Sequence, residues 1–208
     1  CIDGRNFEGI LDDVEESDYD LLVLGAIGQG AVKQSKAGSV CERVLRRAEL
    51  DTLVVREIEG EAKPENSAIA VALDGSQWSW GALRAGIEMA KVHNRDLEIV
   101  TVQVPGLPGE ALLEAHLKLA RKVAKAEGVT ARSVQLEGGV SVMLEDHVTR
   151  TQPWLLVTGR SGADSELEGA RIGAVPEFLV RNSPCNVLIV ARTWNPAQKA
   201  GKPDRAVA

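Results

Sequence analysis

Aromatic residues are scarce in this chain of 208 residues: four Trp, two Phe and one Tyr, 3% of the total. A core of ordinary size must therefore be aliphatic. Val, Leu, Ile and Ala supply it, which suits parallel strands buried on both faces. Cysteine is scarce as well, with only Cys1, Cys41 and Cys185. Their spacing fits neither a zinc site nor a disulfide framework. Reduced thiols are expected, with Cys41 and Cys185 serving as small buried residues. Positive charge is in deficit: 24 Lys and Arg stand against 30 Asp and Glu, a formal net charge of −6. That balance argues against a nucleic-acid-binding surface. No apolar run reaches the ~18 residues that a membrane helix needs, and no signal peptide is visible. A cytoplasmic protein without membrane contact is the expectation.

What remains is an ordinary globular balance, 44% hydrophobic and 26% charged, in a length that suits one or two small domains. An internal repeat organises it. The run Leu21-Leu22-Val23-Leu24-Gly25-Ala26-Ile27-Gly28 returns as Leu155-Leu156-Val157-Thr158-Gly159-Arg160-Ser161-Gly162, with five of eight positions identical at an offset of 134. Gly38, Val40, Glu42, Arg46, Leu53 and Val55 then recur as Gly173, Val175, Glu177, Arg181, Leu188 and Val190, at an offset of 135. The extra residue falls in the loop between the glycines, where insertions are tolerated. The second copy begins near Ser67, so only the later half of the first is present. This division gives residues 1–57 as the C-terminal half of one domain, 58–66 as a polar linker, 67–192 as a complete domain and 193–208 as a disordered tail.

Short apolar strands alternate with helical periodicity through the second copy. Strands are predicted at 68–73, 97–104, 131–136, 154–158 and 187–190. Helices are predicted at 80–92, 111–126, 140–150 and 174–181. On the helix at 111–126, Leu112, Ala115, Leu119 and Val123 form the predicted apolar stripe. Such alternation means an α/β fold: a doubly wound, five-stranded parallel sheet covered on both faces, plus the C-terminal half of a second copy. In such sheets ligands sit beyond the carboxyl ends of the strands, where the winding reverses. The turn after Leu73 and the loop after Thr158 are predicted to meet there.

In the first copy, Gly25 and Gly28 end a strand, nine residues follow, and Gly38-Ser39 opens a helix. Glycines let backbone amides approach a phosphate with no Cβ in the way. Ser39 and the helix start add donors and a favourable dipole, and Lys33 and Lys36 add charge. The spacing G-x2-G-x9-G-S resembles the nucleotide-binding signature of the universal stress protein family. The turn Asp74-Gly75-Ser76 and the ending Ser183-Pro184-Cys185-Asn186-Val187 are similar to that family too. The resemblance implies a Rossmann-like fold of the adenine-nucleotide-hydrolase type and a regulatory site for ATP or AMP, with Mg and with no tightly bound metal. In the second copy it implies Asp74 at the base or ribose, Val102 at the adenine, Gly159 and Gly162 at the ribose and phosphates, and Gly173 and Ala174 at the phosphates. It also implies that modules pair through their fifth strands, here 52–55 and 187–190, in cis or as a homodimer.

The two copies depart from the signature in complementary ways. The first lacks the Asp turn. The second has Ala174 where a hydroxyl belongs, and a ten-residue spacer carrying Asp164, Glu166 and Glu168 against Arg171. The first copy is therefore expected to be the nucleotide-competent one. A strand at 21–25 without a first-strand neighbour is expected to leave bare apolar surface, filled by a missing half or by oligomerisation. His93, His116 and His147 are expected on solvated helix faces. No Ser-His-Asp or Cys-His constellation is present, so no enzymatic activity is expected. Trp78 and Trp80 are expected to pack at the start of the first helix. The functional expectation is a nucleotide-binding stress-response module; the alternative is an interaction module that binds no nucleotide.

Overall fold

The computed structural model describes residues 6–28, 37–56, 67–162 and 172–197. Lys33, Lys36, the linker, the acidic spacer residues Asp164, Glu166 and Glu168, and Arg171 lie outside these residues, as do Cys1 and the last eleven positions. The elements run α1 (Asn6–Glu16), β1 (Leu21–Gly25), α2 (Ser39–Leu45), β2 (Asp51–Val55), β3 (Ile69–Ala72), α3 (Gln77–His93), β4 (Leu97–Gln103), α4 (Glu110–Ala126), β5 (Ala131–Glu137), α5 (Val140–Thr151), β6 (Leu155–Gly159), α6 (Ala174–Asn182) and β7 (Asn186–Val190).

Seven strands form one sheet in the order β1-β2-β7-β6-β3-β4-β5. Every neighbouring pair is parallel except β2 and β7, which are antiparallel. The five strands from β3 to β7 are the doubly wound sheet read from the sequence; β2 continues that sheet and β1 closes it. Its central strands are apolar on both sides because helices cover both faces. Ile69, Val71, Leu156 and Ile189 are fully buried, each contributing about 1.5–3 kcal/mol by leaving water. One core lies under α3 and α4. The other lies under α5 and α6 and takes in Cys41 and Leu45 of α2. A third, smaller cluster packs Phe7 and Leu11 of α1 onto Val44 and Ala48. The sequence reading had no helix at α1.

The repeated segments share their surroundings. Leu21 pairs with Asp51 across β1 and β2, and Leu155 with Asn186 across β6 and β7, the same register in both. The antiparallel ladder is centred on Leu53 opposite Leu188, flanked by Thr52 with Ile189 and Val54 with Val187. Side chains tie the halves reciprocally. Asp51 Oδ1 accepts from the Ala191 amide at 2.8 Å, and Asn186 Oδ1 accepts from the Arg56 amide at 2.9 Å. β1 has a strand on one side only, and Leu21 and Val23 on it are exposed.

Three local expectations change. The buried stripe of α4 is Leu117, Ala120 and Ala124, whereas Leu112, Ala115 and Leu119 face solvent. Apolar residues span more than half of this helix, so periodicity alone marks a face about a third of a turn from the one the sheet selects. His147 lies in the core and not on a solvated face: its Nε2 is 2.9 Å from Glu98 Oε2, and both side chains are almost fully buried. Arg132 Nε reaches the other oxygen of Glu98 at 2.9 Å. A buried carboxylate needs such partners, and the pairing spans three elements that the sequence could not align. Residues 193–197 run over α3, where the Trp194 amide donates to the Gln77 carbonyl at 3.0 Å. The Trp194 ring meets Trp80 edge-on at 6.3 Å. Trp80 is buried as expected, and His93 is exposed.

Candidate functional site

β3 and β6 are adjacent although β4 and β5 intervene in sequence, so the winding reverses between them. The loops leaving these two strands diverge to opposite faces and open a crevice. A cavity of about 390 Å³ lies there, lined by Asp74, Val102, Gly159, Gly162, Gly173 and Ala174. All six second-copy residues read from the sequence thus come together. The cavity also takes in Ser79, Val100, Val140, Leu144, Thr158, Ser161, Val175 and Pro176, none of which sequence reasoning assigned to the site. Val140 and Leu144 are one helical turn apart on α5, a spacing visible in the sequence. Nothing there showed which sheet end that turn would face.

Each wall has a local cause. After β3 the chain turns at Asp74-Gly75-Ser76. Asp74 Oδ1 accepts from the Ser76 amide at 2.9 Å, an Asx turn. Ser76 then caps α3, its hydroxyl accepting from the Ser79 amide at 3.1 Å. Ser79 Oγ accepts from the Gly75 amide at 3.1 Å, closing the turn. Gly75 has φ of +89°, and a Cβ there would lie 2.1 Å from His116 Cε1. The turn therefore requires glycine twice over. Across the crevice, a Cβ on Gly159 would lie 2.7 Å from the Trp78 backbone, and one on Gly162 would lie 2.9 Å from Asp74 Oδ2. These glycines are needed for close approach.

The glycine loop is pinned by the Gly173 amide, which donates to the Arg160 carbonyl at 2.8 Å. The first copy repeats that bond: the Gly38 amide donates to the Ala26 carbonyl at 2.7 Å. Gly25, Gly28, Gly38 and Ser39 therefore stand in the places that Gly159, Gly162, Gly173 and Ala174 hold in the second copy. β2 and β7 are antiparallel, so this first-copy set lies at the opposite end of the sheet from Asp74 and Val102. The structure does not bring the two sets into one site.

The α6 end of the cavity is poorer in donors than the equivalent helix start of the first copy. Ala174 begins α6 without a side-chain cap. Pro176 stands where the first copy has Cys41, and proline has no amide to donate. Among the described lining residues Asp74 carries the one charged side chain. Arg160, inside the glycine motif, points away. It is almost fully buried and donates to the Ala48 and Arg46 carbonyls at the end of α2. Burial lowers its pKa below the usual arginine range. Among the described residues no group of three or more His, Cys, Asp or Glu could hold a metal, and no helix is long and apolar enough to cross a membrane.

Two segments of the chain, 1–56 and 65–191, match the model of the universal stress protein family. The chain belongs to the universal stress protein family. A universal stress protein of Mycobacterium tuberculosis is 32% identical over 119 residues, covering 52% of this chain and 40% of that protein. One from Methanocaldococcus jannaschii is 29% identical over 139 residues, covering 60% of this chain and 81% of that protein. The chain thus spans 40% of the length of the mycobacterial relative. Among solved structures, a universal stress protein of Archaeoglobus fulgidus superposes with a TM-score of 0.68 at 22% identity, covering 88% of this chain and 66% of that one. A universal stress protein in complex with cAMP gives a TM-score of 0.51 at 26% identity, covering 61% of this chain and 98% of that one.

Proposed function

We propose that this chain is an adenine-nucleotide-binding regulatory module of the stress-response type, with its ligand in the crevice between β3 and β6. The observation that carries the reading is the convergence of Asp74, Val102, Gly159, Gly162, Gly173 and Ala174 on one cavity of about 390 Å³. That volume lies near the lower end of the ~300–1,000 Å³ range of ligand pockets. Val100, Val102 and Leu144 give an apolar slot for a base, and Asp74 a carboxylate for ribose hydroxyls. The similar protein in complex with cAMP supports the ligand class.

The nucleoside end is built better than the phosphate end. A hydroxyl lost at Ala174 costs about fivefold in affinity at ~1 kcal/mol per hydrogen bond, and more where the acceptor is charged, and Pro176 removes a further donor. AMP or a cyclic nucleotide therefore binds in preference to ATP. Any Mg would arrive with a polyphosphate. The loop of Gly25, Gly28, Gly38 and Ser39 keeps the hydroxyl. It contributes to a nucleotide site only when an Asp-bearing strand joins the open edge of β1.

Isothermal titration with AMP, cAMP and ATP-Mg tests this. The expected result is binding of the first two with ATP-Mg weaker. Tight ATP-Mg binding would show that Ala174 and Pro176 matter less than argued. The second reading, an interaction module without a nucleotide, is favoured by those same two residues. Absence of heat with all three ligands would overturn the nucleotide reading in its favour.

A further inference from the structure

Hydrogen bonds hold the Asp74-Gly75-Ser76 turn from the side of α3. The Ser76 amide donates to Asp74 Oδ1 and the Gly75 amide to Ser79 Oγ. A side chain of α4 closes on the same turn from another direction. His116 is half-buried and not on the solvated face expected of it. Its ring tip points at Gly75: a Cβ there would stand 2.1 Å from Cε1, 2.3 Å from Nδ1 and 3.1 Å from Nε2. Asp74 is the next residue along. Its Oδ2 faces Gly162 across the crevice, 2.9 Å from where a Cβ on that glycine would stand.

The imidazole is backed on its far side. Trp80, buried in the first turn of α3, meets it edge-on, with ring centres 5.7 Å apart and planes at 88°. Trp194 meets Trp80 in turn at 6.3 Å, and the Arg84 guanidinium lies 5.7 Å from the centre of the Trp194 ring. Two of the four tryptophans in the chain thus stand in line with this one histidine. α4 itself is fixed by Leu117, Ala120 and Ala124, which are buried. The ring nitrogen does not explain the residue. Nδ1 is buried with no hydrogen-bond partner among the described residues, which lowers stability. What the ring supplies is a flat, narrow edge that fits against the turn because position 75 has no Cβ.

We infer that His116 is the positioning residue of the nucleoside end: its ring, backed by Trp80 and Trp194, sets Gly75 and through it aims the Asp74 carboxylate into the crevice. The ligand in this inference rests on the nucleotide reading above; the hold on the turn does not. Without the ring, Gly75 has room to move, and Asp74 Oδ2 moves with it. A shift of about 1 Å in a positioned group is enough to weaken its contact many-fold.

Two measurements on the full chain test this. Titration with AMP, far below the melting transition, is expected to show His116→Ala binding at least about fivefold more weakly. His116→Phe keeps a flat ring edge and removes the partnerless nitrogen, and is expected to restore most of that affinity. In an Asp74→Ala background, His116→Ala is expected to add no further loss, because its effect passes through Asp74. Hydrogen exchange followed by NMR at the Gly75 amide is expected to quicken in His116→Ala, with or without nucleotide. A wild-type chain that binds no AMP sinks the nucleotide reading, and the Gly75 exchange then decides this one alone. Unchanged exchange at Gly75, unchanged AMP affinity in His116→Ala, or a loss that persists in full without Asp74 overturns the assignment.

Discussion

Arg181 Nε donates to Glu42 Oε1 at 2.9 Å across the ladder that joins β2 to β7. Arg46, which occupies the repeat-related position, returns the contact to Glu177 at 2.5 Å. The two ion pairs are related by the same symmetry that centres the ladder on Leu53 and Leu188. Both lie partly in water, so each is screened and its contribution is small. Glu42→Gln is expected to destabilise the fold by about 0.5 kcal/mol. The loss should shrink when the thermal melts are repeated at molar salt.

Arg160 should behave differently. It is buried, and it satisfies the Ala48 and Arg46 carbonyls at the end of α2. Arg160→Met leaves those acceptors without that donor, an effect of about 2–3 kcal/mol. Chemical denaturation should show a loss that salt does not relieve.

Gly162→Ala tests the crevice. Its Cβ would stand 2.9 Å from Asp74 Oδ2, so the carboxylate must move. AMP affinity is expected to fall at least about tenfold, a ΔΔG near 1.4 kcal/mol. Stability should barely change, because Gly162 is not at positive φ. Titration and melting of the same sample separate the two effects.

The Glu98–His147 pair predicts a non-additive result. Glu98→Leu strips a buried imidazole of its carboxylate partner and should cost about 3 kcal/mol. Replacing both residues with Leu removes the need for pairing and should recover most of that loss. A double-mutant cycle by urea unfolding measures the coupling.

Cys41 sits in the core beneath α6, and burial pushes its thiol up to about 11. The fold holds this group protonated. Its contribution is complete below the ordinary thiol value of 9.0 and is lost as pH rises towards about 11. Native chain at pH 8 should leave Cys41 and Cys185 unreactive to a thiol reagent. Both should react in urea.

Much of the fold was legible because its signals are local. The runs at 69–72, 97–103 and 155–159 are apolar and short, with turn residues after them, and each forms a strand close to its predicted bounds. The glycine segments share identical residues, and each holds the same register against the strand that follows it. The second-copy site residues were read one by one from a resemblance, and all six line one cavity. The misses have a common cause. Leu112, Ala115 and Leu119 carry the right periodicity on the wrong side of α4. His147 gives no sign of its partner because Glu98 lies 49 residues away. Pro176 is plain in the sequence, but its cost appears only once α6 is seen to open beside the cavity.

The sequence by itself determined the element order from β3 to β7, the repeat and the chemistry available at each glycine loop, because propensity, turn formation and apolar alternation act over a few residues. Tertiary structure alone decided which stripe of α4 is buried, that β2 and β7 run antiparallel, and that the two glycine loops therefore face opposite ends of the sheet. Those outcomes depend on which surfaces meet, and burial rewards a meeting between residues that no local pattern connects.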